Sequence, residues 1–259
     1  MEIITSANND KIKYARKLAA DSSLRRESGR FVIEGARLCA DAASCGVTVE
    51  RAFITRRAFE TYGGYVSAVT AVCDDVYEID DAVASKLSDT GNPQGVFCVC
   101  VKKDNGSVTL DPHGKYLALE NVQDPSNAGA ICRTAEALGL SGLIVCGGCD
   151  IYSPKVLRSA MGSSLRLDII DEPDIVSVLS RAKEAGMLTL AAVPDSAAED
   201  IRNISFGTGC ICCIGNEGNG LTQSAKSACD KAVTVPMKGR AESLNAAAAA
   251  AVIAWELVR

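Results

Sequence analysis

Apolar residues fall along this chain in short runs with polar, Gly- or Pro-containing breaks between them. In the second half the runs lie at 116–122, 143–146, 167–170, 188–193, 211–214 and 232–236. Runs of this length, rich in β-type residues and bounded by turn formers, read as buried strands. Helical spacing occupies the gaps. Over 127–138, Ile131, Ala135 and Leu138 recur at i, i+4 and i+7, which marks one apolar helix face. Further helices are expected over 154–163, over 175–185 and from Ser243 onward, the last carrying six consecutive alanines from Ala246 to Ala251. Strands alternating with helices of this length imply βαβ units and a mainly parallel sheet flanked by helices.

The first hundred residues form a smaller α/β unit. Strands are expected at 51–55, 76–79 and 95–101, and the stretch GRFVIEGARL reads as a strand turning into a helix at Glu34-Gly35. The polar stretch KKDNGSVTLDPHG carries Asn-Gly and Asp-Pro turn signals. It sets three segments: a first domain over 1–103, a linker over 104–114 and a second domain over 115–259.

Composition narrows the class. At 259 residues and 47% hydrophobic, the chain can bury a sizeable core. No apolar stretch is long enough to span a bilayer, and the first residues lack the apolar segment of a secretory signal, so a cytoplasmic protein is expected. The net charge is −5, yet Lys11, Lys13, Arg16, Lys17, Arg25, Arg26 and Arg30 crowd the first thirty residues against four acids. A local patch of this kind fits either phosphate contact or a solvated helix face. The twelve cysteines sit mostly inside apolar runs, where the thiol acts as a small hydrophobe. One CxxC, Cys146 with Cys149, has no partner pair, and the only histidine, His113, lies in the linker. No metal is expected.

The candidate chemistry sits in loops. Segments 121–127, 215–220 and 237–242 each follow an expected parallel strand, so all three open at one edge of the sheet, where open α/β folds place their ligands. The glycines of Gly215-Asn216-Glu217-Gly218-Asn219-Gly220 let backbone approach a ligand. No GxGxxG follows a strand, so a dinucleotide site is not indicated. Asp124-Pro125 is a helix opening, and Arg133 lies about 200° round that helix from Ile131, away from the core. Asn127, Arg133, Glu217, Ser243 and Asn245 are thereby brought toward one site that holds no Ser–His or Cys–His pair.

Three stretches, LALENVQDPSNAGAICRTAEALG, CIGNEGNGL and VPMKGRAESLNAAAAAAVIAWE, resemble in order and spacing the motifs of the SpoU (TrmH-like) RNA ribose 2′-O-methyltransferases of the SPOUT superfamily. The first domain, through GRFVIEGARL and KLSDTGNPQGVFCV, is similar to the substrate-binding domain of rRNA-directed members, related to a ribosomal-protein (L30e-like) fold. Ser126 departs from a usual Gly, and Ala follows Ser243-Leu244-Asn245 where Ser is common. The resemblance implies S-adenosylmethionine as methyl donor, a deep trefoil knot at the C-terminus, and a homodimer sharing its active site. It implies a cofactor site of Gly215, Asn216, Val235, Pro236, Met237 and Leu244. It makes Arg133, Asn127, Glu217, Ser243 and Asn245 catalytic or RNA-contacting, with Arg133 either a general base or a clamp on an RNA phosphate. Lys11, Lys13, Arg16, Arg25 and Arg26 would then meet RNA, by resemblance rRNA rather than tRNA. The alternative is a non-catalytic RNA- or ribosome-binding protein of the same fold.

Overall fold

The computed structural model describes residues 1–103, 110–207 and 209–259. Residues 104–109 of the expected linker lie outside the described part. The chain divides into two compact units, Met1–Asp104 with Tyr152–Leu165, and Asn105–Ile151 with Arg166–Arg259.

The first unit runs β1 (Glu2–Ile4), α1 (Asp10–Ala20), α2 (Ser22–Ser28), β2 (Arg30–Glu34), α3 (Ala36–Ser44), β3 (Val49–Thr55), α4 (Arg56–Thr61), α5 (Gly63–Thr70), β4 (Val76–Ile79), α6 (Asp81–Leu87) and β5 (Val96–Val101). Its five strands lie in the order β1-β4-β3-β5-β2, with β5 antiparallel to both neighbours. Because successive strand residues face opposite ways, each strand feeds two cores. Phe31, Ile33, Ala52, Ile54, Val96, Cys98 and Cys100 face one side, and Val32, Phe53, Phe97 and Val99 the other. The strand-to-helix turn in GRFVIEGARL falls where the pattern places it, at Gly35 with φ 110°. β1 was not legible, since its three residues are mostly exposed and pair along one side only.

One expected surface residue is not on the surface. Arg25, read above as a phosphate contact, is 3% exposed, and its guanidinium donates to the carbonyls of Leu18 and Ala19, the latter at 2.9 Å. These carbonyls belong to the last turn of α1, whose C=O groups have no intrahelical partner. The corner between α1 and α2 folds over them, and Arg25 satisfies them from the next helix. Arg25→Ala is therefore expected to destabilise the protein by about 1.5–3 kcal/mol in urea unfolding, the worth of hydrogen bonds to a charged group.

The second unit contains β6 (Lys115–Glu120), α7 (Pro125–Ala137) and β7 (Gly142–Cys146). After α8 (Pro154–Ala160) and α9 (Ser163–Arg166) come β8 (Ile169–Asp171), α10 (Ile175–Glu184), β9 (Leu188–Ala192), β10 (Glu199–Asp200) and a 3-10 turn (Ile201–Asn203). The chain ends with β11 (Cys210–Ile214), α11 (Gln223–Ala228), β12 (Lys231–Thr234) and α12 (Ala246–Val258). All seven strands are parallel, in the order β10-β12-β9-β11-β6-β7-β8. The expected parallel α/β sheet is present. The segment Tyr152–Leu165, assigned from sequence to the second domain, instead belongs to the first unit. Leu157 and Leu165 sit in the first unit's core, Tyr152 packs 4.9 Å from the Phe31 ring, and Arg158 bonds Asp89 at 2.7 Å.

Candidate active site

Parallel strands point every carboxyl end the same way, so the loops after β6, β9, β11 and β12 gather at one edge. A cavity of about 320 Å³ opens there, within the range of small-molecule sites. It is walled by residues 192–194 after β9, 214–221 after β11, 233–235 with Met237 after β12, and Ser243 and Leu244. The remaining wall is α12. Its alanines divide by helical spacing: Ala246, Ala249 and Ile253 face the cavity, Ala250, Ala254 and Leu257 are buried, and Val252 and Trp255 are exposed. Methyl side chains let one helix serve as core, cavity wall and surface within three turns. The helix begins later than the pattern suggested. Ser243 and Leu244 stay in the loop, and Asn245 is the N-cap, its Oδ1 accepting from the amides of Ala247 and Ala248 at 2.9 and 3.3 Å.

The Gly-rich loop closes on itself. Asn216 and Gly220 exchange backbone bonds of 3.2 and 2.9 Å, and Asn216 Oδ1 accepts from the amides of Gly218 and Asn219. Asn216 Nδ2 donates to the Asn121 carbonyl at 2.9 Å. Gly215 is forced by contact: a Cβ there would lie 2.2 Å from the Gly220 carbonyl carbon and the Leu221 nitrogen. Below the loop, the buried carboxylate of Glu120 accepts from the Thr222 amide and hydroxyl at 2.8 and 2.7 Å, fixing the start of α11.

Glu217 joins this loop to the first. Its carboxylate accepts from the amides of Gln123 and Asp124 at 3.1 and 3.0 Å and from Asn127 Nδ2 at 3.0 Å. Asn127 Oδ1 in turn accepts from Asn245 Nδ2 at 2.9 Å. Three residues far apart in sequence thus form one hydrogen-bonded line across the three loops. Burial alone would raise the Glu217 carboxyl, but the bonds from Asn127, Gln123 and Asp124 outweigh it and hold the group below its ordinary value of 4.5. A carboxylate whose pKa is lowered by folding keeps its tie above the unfolded value and loses it as pH falls through the lowered one. Ligand affinity at the cavity is therefore expected to hold through neutral pH and weaken only on acidification below the ordinary carboxylate range. A Glu217→Gln variant titrated by calorimetry should lack that acid step.

Of the residues expected at the cofactor site, Gly215, Asn216, Val235, Met237 and Leu244 line the cavity. Pro236 is exposed and is not among the lining residues. Ser243 lines it as well. Arg133 is exposed on α7, away from the buried face of Ala128, Ile131, Cys132 and Ala135, and does not line the cavity. The sequence reading missed Val193, Pro194, Leu221 and Lys226. A signal was present for the first two, because Val193-Pro194 after β9 repeats the Val235-Pro236 that follows β12 at the same sheet edge.

In the first unit, the basic cluster separates. Lys11 lies 3.9 Å from Glu2 and over the Tyr77 ring, and Lys13 lies 3.6 Å from Asp10. Arg16 and Arg26 are exposed. The CxxC has a packing origin: Gly148, at φ 82°, sits where a Cβ would lie 2.2 Å from the Val122 carbonyl oxygen, and Cys149 donates its amide to that oxygen at 2.8 Å. Burial pushes the thiols of Cys146 and Cys149 up to about 12 and about 11. Among the described residues no group of three His, Cys, Asp or Glu side chains is placed to hold a metal, and no helix is long and apolar enough to cross a membrane.

A parallel sheet with a ligand-sized cavity at its carboxyl edge, bordered by a loop that carboxylate–amide bonds tie to its neighbour, defines a small-ligand-binding α/β domain. The chain belongs to the SpoU rRNA methylase family, whose model matches residues 114–255. A second family model, the MRM3-like substrate binding domain, matches residues 9–98. A Synechocystis protein described as an uncharacterized tRNA/rRNA methyltransferase is 32% identical over 99% of this chain and 93% of its own length. The 23S rRNA (guanosine(2553)-2′-O)-methyltransferase RlmP of Bacillus subtilis is 29% identical, covering 99% of both chains. Among solved structures, an AdoMet-bound rRNA methyltransferase from Sinorhizobium meliloti matches with a TM-score of 0.86 at 27% identity over 99% of this chain and 97% of its own. The SpoU methyltransferase AviRb from Streptomyces viridochromogenes, in complex with AdoMet, matches at 0.85 and 25% identity over 97% of both.

Proposed function

We propose that this protein transfers a methyl group from S-adenosylmethionine to a ribose 2′-hydroxyl of RNA, with rRNA as the substrate class. The observation that carries the reading is the Glu217–Asn127–Asn245 line, which starts from Glu217 in the cavity wall. The cavity suits the cofactor: its walls are mostly apolar side chains and glycine backbone, with Lys226 the single cation among the described lining residues. Gly215, Asn216, Val235, Met237 and Leu244 would hold it, and when bound it supplies an electrophilic methyl on sulfur.

The chain's own groups position the acceptor. Glu217 fixes the first loop, and Asn127 carries its hydrogen bonds on to Asn245, two residues from Ser243 in the cavity wall. Arg133 lies six residues along α7 from Asn127, about 9 Å further up the axis and 240° round it. It therefore faces outward from its own subunit. In this reading a homodimer brings the partner subunit's Arg133 to the site, where a guanidinium clamps a phosphate bidentately and sets the hydroxyl in line. The exposed Val252 and Trp255 on α12, at 40% and 57% exposure, support such an interface. A knotted C-terminus belongs to the same proposal, since β12 lies beyond β9 while α12 returns to pack on α7 and β6.

Mapping alkali-resistant linkages in rRNA and tRNA from cells with and without the gene tests the substrate. One rRNA ribose methylation should vanish with the gene. Loss confined to tRNA, or no loss, would contradict the proposal. Shared sites also make a mixing test available: co-expressing Arg133→Lys and Glu217→Ala chains should recover part of the activity that each homodimer lacks.

A further inference from the structure

The second unit holds a thiol pair that the proposed reaction does not use. Cys213 and Cys229 place their sulfurs 4.0 Å apart. Cys213 sits in β11, fully buried and hydrogen-bonded into the sheet between β6 and β9. Cys229 is the residue after α11 and is half-buried. The fifteen or so residues between them include the whole Gly-rich loop, Leu221 and Lys226, which line the cavity. We infer that Cys213 and Cys229 are a peroxide-sensitive dithiol whose disulfide closes the loop that walls the cofactor cavity.

The two thiols differ in a way that orders the chemistry. The bond shared with Cys213 and the Lys183 ammonium lower the Cys229 thiol, against burial and the Asp230 and Glu120 carboxylates, while Cys213 is held well above the ordinary thiol range. The thiolate is the nucleophile in such oxidations. Cys229 sulfur attacks hydrogen peroxide, the O–O bond breaks, one oxygen stays on sulfur as a sulfenic acid, and the other leaves as water with the thiol proton. The Cys213 sulfur then attacks the sulfenic sulfur; the S–S bond forms, the S–O bond breaks, and the hydroxyl leaves as water with the Cys213 proton. Two thiols are oxidised and one peroxide is reduced. Other thiols are poorly placed: Cys39 and Cys98 are completely buried, and Cys146 and Cys149 are raised by burial.

A disulfide needs sulfurs about 2 Å apart. Cys213 is pinned in the sheet, so closure draws the end of α11 inward and moves the Lys226 and Leu221 wall with it. This consequence rests on the cavity being the cofactor site; the cross-link does not. The test treats the reduced full-length protein with stoichiometric hydrogen peroxide, alkylates it under denaturing conditions and maps peptides without reduction. A peptide joining Cys213 to Cys229 is expected. It should be absent from Cys229→Ser and Cys213→Ala proteins and present in Cys146→Ser. S-adenosylhomocysteine affinity should fall several-fold on oxidation and return with dithiothreitol, while Cys229→Ser is insensitive. Accumulation of Cys229 sulfinic acid with Cys213 still alkylated would overturn the pair. A cross-link that leaves affinity unchanged would overturn its effect on the cavity. Failure of the reduced protein to bind S-adenosylhomocysteine would instead count against the cofactor assignment, with the peptide map still deciding the cross-link.

Discussion

Gly215→Ala should lower affinity for S-adenosylhomocysteine by about ten- to a hundredfold, although the change adds a single methyl. The added carbon would lie 2.2 Å from the Gly220 carbonyl carbon and the Leu221 nitrogen and 2.6 Å from the Gly220 oxygen. These are backbone atoms, so no rotamer change relieves the contact. The Asn216–Gly220 turn must open instead, and with it the ties from Asn216 to Asn121 and from Glu217 to the first loop. Overpacking costs of about 1–3 kcal/mol translate to this range of affinity. Gly239→Ala is the matched control. Gly239 lies in the third loop with nothing within 4 Å of its Cβ position, so its affinity should be unchanged. Calorimetry on the two variants, with thermal unfolding as a check on the fold, reads the difference.

Arg133→Lys should lower single-turnover methyl transfer by about a hundredfold or more, while S-adenosylhomocysteine affinity stays near that of the parent. The side chain is exposed on a helix whose buried face, Ala128, Ile131, Cys132 and Ala135, the substitution does not touch. It does not line the cavity. What changes is geometry: a guanidinium presents a planar fork of donors, and an ammonium is a point charge. Misplacing a reacting group by about 1 Å can cost a hundredfold. A lysine variant with parental turnover would return Arg133 to an ordinary surface residue.

Much of this site could be read before any coordinates were known, because parallel strands are continuous apolar runs and their carboxyl ends share one edge. That logic placed Asn127, Arg133, Glu217, Ser243 and Asn245 toward one site; the bonds among Glu217, Asn127 and Asn245 join three of them directly, while Arg133 is exposed on α7 and does not line the cavity. The shortfalls have physical causes. Arg25 carries no sequence mark that separates it from Arg26; only the angle between α1 and α2 makes one a buried cap and leaves the other exposed. The start of α12 is expected near Ser243, whereas the Asn245 side chain caps the helix and Ala246 begins it. The segment Tyr152–Leu165 has helical spacing typical of its neighbours, and nothing in that spacing says which core Leu157 and Leu165 will join. β10, two residues long, is set by pairing with β12 rather than by an apolar pattern. Lys226 reaches the cavity only through the placement of α11, which Glu120 and Thr222 fix together.

The central claim is methyl transfer to ribose, and one measurement addresses it directly. Purified protein is incubated with S-adenosylmethionine carrying an isotopically labelled methyl and with rRNA from cells lacking the gene. The RNA is then digested to nucleosides and analysed by mass spectrometry. The label is expected on a ribose 2′-oxygen, in a single nucleoside, and lost in the Arg133→Lys protein. Label on a base, or an unlabelled digest from protein that binds S-adenosylhomocysteine normally, would contradict it.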